Sequence, residues 1–145
     1  MKTEESDLIH WATFRTFVAS TEEEERVKEA LALFVSPKSI SSTRVVGHYG
    51  NEITILEATL KKREGLEIIQ KMRQQLQGEK LDRLRQELPK RVDEDCKLYL
   101  RLDKQAAYKG ETRLTEANDA IYVCVHIASY PARQDKAMKI VEDLL

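Results

Sequence analysis

Two stretches of the chain alternate strictly between apolar and polar positions. In CKLYLRLD, Cys96, Leu98, Leu100 and Leu102 fall on one side and Lys97, Tyr99, Arg101 and Asp103 on the other. In AIYVCVHI, the inward row is Ile121, Val123, Val125 and Ile127. A period of two predicts half-buried strands in both places. LIHWATFRTFVAS, from Leu8 to Ser20, has the β-branched and aromatic content of a third strand. There Ile9, Trp11 and then Phe14 and Val18 compete for the inner face, a conflict that a bulge would reconcile. TRVVGHYGNEITILEATLKK reads as a hairpin turning at Gly50 and Asn51, with Ile53 and Ile55, and Leu60 as a further candidate, set against polar neighbours.

The period changes to that of a helix elsewhere. Thr21 and Glu24 have capping-box spacing, the acidic run Glu22–Glu25 suits a helix entry, and Val27, Ala30, Leu31, Phe34 and Val35 supply an apolar face. Leu66, Ile69, Met72 and Leu76 mark a helix that stops at Gly78. Leu81, Leu84 and Leu88 mark another that Pro89 interrupts, and Pro131 opens a last one along Ala137, Ile140, Val141 and Leu144. The sum predicts an α+β fold: an antiparallel or mixed sheet of about five strands with helices packed on one face.

A length of 145 residues, 41% of them hydrophobic, suits one core and predicts a single domain over 1–145. No apolar run approaches the roughly 18 residues of a membrane span. The start, MKTEESDLIHW, is acidic where a signal peptide is basic and then apolar, so a cytoplasmic protein with no membrane partner is expected. Cys96 and Cys124 alternate with apolar neighbours, which predicts buried free thiols packed in the core.

The net charge of −1 argues against a binder that works by bulk positive charge, but it is unevenly spread. Residues 1–34 hold four basic and eight acidic side chains, residues 35–113 seventeen and twelve, and residues 114–145 three and five. The central section is therefore cationic, suited to meeting a polyanion on one face. Lysines and arginines that merely cover solvated helices would give the same count.

Signatures of catalysis are missing. The chain has no glycine-rich phosphate loop, nucleophile elbow or zinc-spaced cysteines and histidines, so neither an enzyme nor a cofactor is expected. His10, His48 and His126 lie in separate predicted strands. Asp93, Glu94 and Asp95 could in principle hold magnesium, but ion pairing or capping at a helix-to-strand junction explains them with less.

The segments HWATFRTFVASTEEEERVKEAL, GHYGNEITILEA and, above all, RVDEDCKLYLRLDKQAAYKGETRL resemble an archaeal family of small RNA-binding-domain proteins described as predicted exosome subunits. The similarity runs from about Ile9 to Val141. It implies a fold similar to the large-subunit ribosomal protein that carries 5S RNA, a role in archaeal RNA processing or degradation, and RNA and exosome proteins as partners. With that resemblance, the outward residues of the motif become RNA candidates. Arg91, Lys97, Arg101 and Lys104 would meet phosphates, Gln105 would meet base edges, and Tyr99 and Tyr108 would stack, with Arg15 and His48 as additions from neighbouring strands. Two other readings use the same residues. Arg91, Asp93, Asp95, Arg101 and Asp103 could form a stabilising ion-pair lattice, with Tyr99 and Tyr108 partly in the core, and the protein could be an adaptor that binds another protein or itself and does not contact RNA directly.

Overall fold

The computed structural model describes residues 8–76, 78–129 and 133–145. Its strands are β1 (Ile9–Val18), β2 (Ser41–Val46), β3 (Glu52–Lys61), β4 (Lys97–Asp103) and β5 (Ala120–Ile127). They form one open antiparallel sheet in the order β2-β3-β1-β5-β4. The helices are α1 (Glu24–Leu31), α2 (Lys62–Gln75), α3 (Glu79–Arg91), α4 (Lys104–Tyr108) and α5 (Gln134–Leu144). The fold is α+β, as the two periodicities predict.

The chain divides into two compact units. One consists of the described residues of 1–12, 60–100 and 124–145. Its core joins Ile9, Ala12, Leu60, Leu98, Leu100, Val125 and Ile127 from strands to Leu66, Ile69, Met72, Leu84, Leu88, Ala137 and Val141 from helices, all buried. The ladder bond from Ile127 N–H to Cys96 C=O and the amide of Gln134 on Val92 C=O tie its segments together. The other unit consists of 13–59 and 101–123. Here Phe14, Val18, Leu56, Ala58, Leu102, Ile121 and Val123 are buried with Val27, Leu31, Phe34, Ala106 and Ala107, and the Phe14 and Phe34 rings stack at 5.8 Å. Leu98, Leu100, Val123 and Val125 thus fill inward positions, as their alternation predicts.

Several local expectations are corrected. In β1 the inward row is Ile9, Ala12, Phe14, Thr16 and Val18, and Trp11 is half-buried beside His10. The alternation slips by one residue at His10–Trp11, the pattern an extra residue makes. Thr16 is tolerated inside because its hydroxyl donates to Ala120 C=O at 3.1 Å. In β3 the inward residues are Leu56, Ala58 and Leu60, whereas Ile53 and Ile55 share the outward row of Glu57. The hairpin turns through the longer loop 47–51.

Helix α1 begins at Glu24 with Glu23 at its N-cap, so Thr21 caps nothing there. Instead Glu22 Oε1 accepts from Ala19 N–H at 3.0 Å. Helix α3 runs through Pro89 to Arg91. Cys96 sits in the turn before β4 with φ of 63°, and Cys124 is half-buried on the outward row of β5 and not in the core. The expected helix start at Pro131 lies outside the described residues.

Candidate nucleic-acid interface

In the first unit, the turn into β4 is built by Asp93. Its Oδ1 accepts from the N–H groups of Asp95 at 2.9 Å and Lys97 at 3.0 Å, so the acidic trio serves as a capping turn. Burial works against ionisation of Asp93, but the Lys97 N–H, the Tyr99 hydroxyl and the Asp95 N–H outweigh it and hold the carboxyl below its usual value. Tyr99 is exposed on the outward row. Partial burial and the Asp93 carboxylate push its phenol up to about 12.

Lys97 lies on the same row, its Nζ 5.9 Å from the centre of the Trp11 ring. His126 sits 5.2 Å from Trp11 and 4.9 Å from His10 between ring centres. Burial, His10 and Lys97 hold the imidazole of His126 below its ordinary range, which favours its uncharged form. Arg91, at the end of α3, is committed elsewhere: Nε and Nη2 both reach Glu87 Oε2, at 3.0 and 2.7 Å. The acids Asp93 and Asp95 are not its partners, so in place of the alternative ion-pair lattice there is a local helical pair and a capping turn.

In the second unit, the outward row of β1 presents Arg15 and Phe17. Arg15 pairs with Glu57 of β3 at 2.5 Å. Phe17 is 40% exposed and meets the Tyr122 ring of β5 edge-on at 6.2 Å. Arg101 of β4 lies over the Tyr122 ring at 5.3 Å. One of its nitrogens donates to Glu116 C=O at 3.0 Å, which fixes the guanidinium plane and leaves other donors for a ligand. Two aromatic rings and a stacked guanidinium therefore stand together on one surface, an arrangement that can take a base by stacking and a phosphate by charge.

Lys104 is the clearest correction among the candidates. It begins α4 with 1% exposure. Its ammonium donates to Phe17 C=O at 2.8 Å, to both Glu22 oxygens at 3.1 and 3.3 Å, and to Asp119 Oδ1 at 2.7 Å. With these partners all three of its donors are taken, and no phosphate-facing position remains. Asp103, a member of the alternative ion-pair lattice, caps α4 by accepting from Ala106 N–H at 2.9 Å. Tyr108 is half-buried, its hydroxyl donates to Glu22 Oε2 at 3.3 Å, and Arg26 lies 5.5 Å over its ring. Burial first, then Glu22, push that phenol up to about 12. Gln105 is exposed on α4, and His48 is exposed in the β2–β3 loop with its ring 5.1 Å from Tyr49.

Phe17, Tyr122, Trp11 and His126 were not among the sequence candidates. The signal for two of them was the alternation itself, since Phe17 is two residues beyond Arg15 and Tyr122 falls between the inward Ile121 and Val123. Among the described residues, no cluster of histidine, cysteine or carboxylate side chains could hold a metal ion, and no helix is long and apolar enough to cross a membrane.

Comparison with known proteins adds to this geometry. Residues 11–127 match the model of a family described as RNA binding. The chain is 32% identical over 143 residues to RNA-binding protein PAB1135 of Pyrococcus abyssi, covering 94% of this chain and 93% of that one. Among solved structures it is similar to protein AF2318 from Archaeglobus fulgidus, with 32% identity, a TM-score of 0.83 and coverage of 94% and 99% of the two chains. It is likewise similar to Mth689, a DUF54 protein from Methanothermobacter thermautotrophicus, with 32% identity, a TM-score of 0.81 and coverage of 95% and 98%. On the extent of these matches, the chain belongs to the RNA-binding family.

Proposed function

We propose that the protein is a non-catalytic RNA-binding protein that contacts RNA through the outward surface of the second unit. Phe17 and Tyr122 stack on bases, Arg101 meets a phosphate, and Arg15, partly neutralised by Glu57, adds a weaker contact. The Phe17–Tyr122 pair, with Phe17 exposed, Tyr122 half-buried and Arg101 over the Tyr122 ring, carries this reading, because a large apolar ring left exposed on the outward row of a strand contributes nothing to the core. Membership of the family, and a relative named an RNA-binding protein, support it. In the first unit, Lys97 and Tyr99 beside Trp11 and His126 form a further candidate patch.

The finer role follows the resemblance carried by the DEDCKLYLRLDKQAAYKGE motif. The protein acts in the cytoplasm, in RNA processing or degradation, in association with an exosome, and with a fold like that of the ribosomal carrier of 5S RNA. Its modest net charge fits a partner chosen by stacking more than by bulk attraction.

Ionic strength tests the reading. Affinity for RNA should fall with rising salt, and Arg101→Ala should reduce the magnitude of the log–log slope by about 0.7 to 0.9, the share of one phosphate contact. Co-purification with a protein partner that is indifferent to salt, with no RNA retained at low salt, would instead identify an adaptor.

A further inference from the structure

All six residues of β2, Ser41–Val46, are exposed, and toward the turn none of Glu52–Ile55, which lie opposite Thr43–Val46, is buried. This end of the hairpin is therefore a ribbon open on both faces, with β2 at the edge of the sheet. Its tip is braced. Gly47 N–H donates to Asn51 C=O at 2.6 Å and Gly50 N–H to Gly47 C=O at 3.0 Å. Gly50 takes a φ of 81°, and a Cβ on Gly47 would come within 2.7 Å of Asn51 Oδ1, so both glycines suit the turn. The braced loop holds Tyr49 92% exposed, with His48 edge-on against it.

The hairpin is poor in acids, with Glu52 and Glu57 of β3 opposite Val46 and Ser41 at its two ends. Residues 30–51 contain no carboxylate, the longest such run in a chain with 25 acids, while Lys38 and Arg44 lie within it. Glu52, paired with Val46 in the ladder, is the first acid to follow. The rest of β2 offers the Ser42 and Thr43 hydroxyls, that of Ser41 being donated to Glu57 C=O at 3.2 Å, and an edge strand offers unpaired N–H groups. Hydrogen-bond donors, a cation and an unshielded ring at a stiff tip suit a polyanion with unstacked bases.

We propose that the β2–β3 ribbon is a second RNA contact, in which Tyr49, backed by His48, stacks on an unpaired base while Arg44 and the β2 edge hold the flanking phosphates. The inference rests on the RNA reading above and specifies its substrate class as RNA with a loop or bulge. It is tested with an RNA hairpin carrying 2-aminopurine at an unpaired loop position, against a continuous duplex of the same stem. Tyr49→Ala should lose on the order of tenfold or more in affinity for the looped RNA, together with the change in 2-aminopurine fluorescence, and little for the duplex. Tyr49→Phe should retain both. Arg44→Ala should weaken both RNAs and flatten the salt dependence.

Each residue is exposed, so the variants keep the fold. Full affinity of Tyr49→Ala for looped RNA, with Phe17→Ala weakened, overturns the ribbon contact and leaves the sheet surface standing. A parent protein that binds neither RNA removes both. Tyr49→Ala altering only the molar mass by light scattering also overturns the inference, because the edge then pairs with a second copy.

Discussion

Glu22→Ala is expected to destabilise the protein by on the order of 3 kcal/mol, lowering the melting temperature by about 10 °C. Lys104 is 1% exposed, so its charge has given up nearly all its water and depends on its protein partners. Of the two carboxylates that meet it, Asp119 has a side chain 68% exposed and Glu22 one only 20% exposed. Glu22 is therefore the enclosed counter-charge. Removing it leaves the buried ammonium with a carbonyl and a solvated acid, and releases the Tyr108 hydroxyl and the Ala19 N–H as well. Glu23→Ala, at an exposed N-cap with no side-chain bond, should change stability by less than about 0.5 kcal/mol. Lys104→Met in the Glu22→Ala background should recover much of the loss, since the uncompensated charge is gone. Thermal unfolding of the four proteins decides the matter. Wild-type stability in Glu22→Ala would place Lys104 at the surface and return it to the RNA candidates.

The second large effect concerns binding. Phe17→Ala and Tyr122→Ala are each expected to weaken RNA affinity by about 1–3 kcal/mol, the range for one stacked base. The two rings touch, so the double variant should fall short of the sum. Tyr122→Phe separates stacking from hydrogen bonding: it removes the bond from the Tyr122 hydroxyl to Asn118 C=O but keeps the ring, and should bind nearly as the parent does. The salt dependence of the ring variants should match the parent's, because no cation is lost. A folded double variant with full affinity would remove stacking on this surface from the account.

The parts of this picture that were legible in the sequence are those where one side of an element is buried and the other is not. β4 and β5 gave their faces away because every second residue is Leu, Ile or Val. β3 did not, because Ile53 and Ile55 on one row compete with Leu56, Ala58 and Leu60 on the other. β1 hid its face behind the slip at His10–Trp11. Arg101 and Tyr99 were correctly placed outward by parity. Lys104 was misplaced because its burial depends on Glu22, 82 residues away, and on a carbonyl 87 residues away, contacts that no local pattern encodes. Phe17 and Tyr122 passed unnoticed for the opposite reason: an aromatic residue in a strand is ordinarily core, which outweighed the parity that places both on the outward rows.

The central claim, that RNA lies on the outward surface formed by β1 and β5 in the second unit, is tested most directly by zero-length ultraviolet crosslinking of bound RNA followed by mass spectrometry of the modified peptides. The account predicts nucleotide adducts on Phe17 and Tyr122 that disappear when a competing unlabelled RNA is added. Specific adducts confined to the helices α2 and α3, with β1 and β5 unmodified, would contradict it.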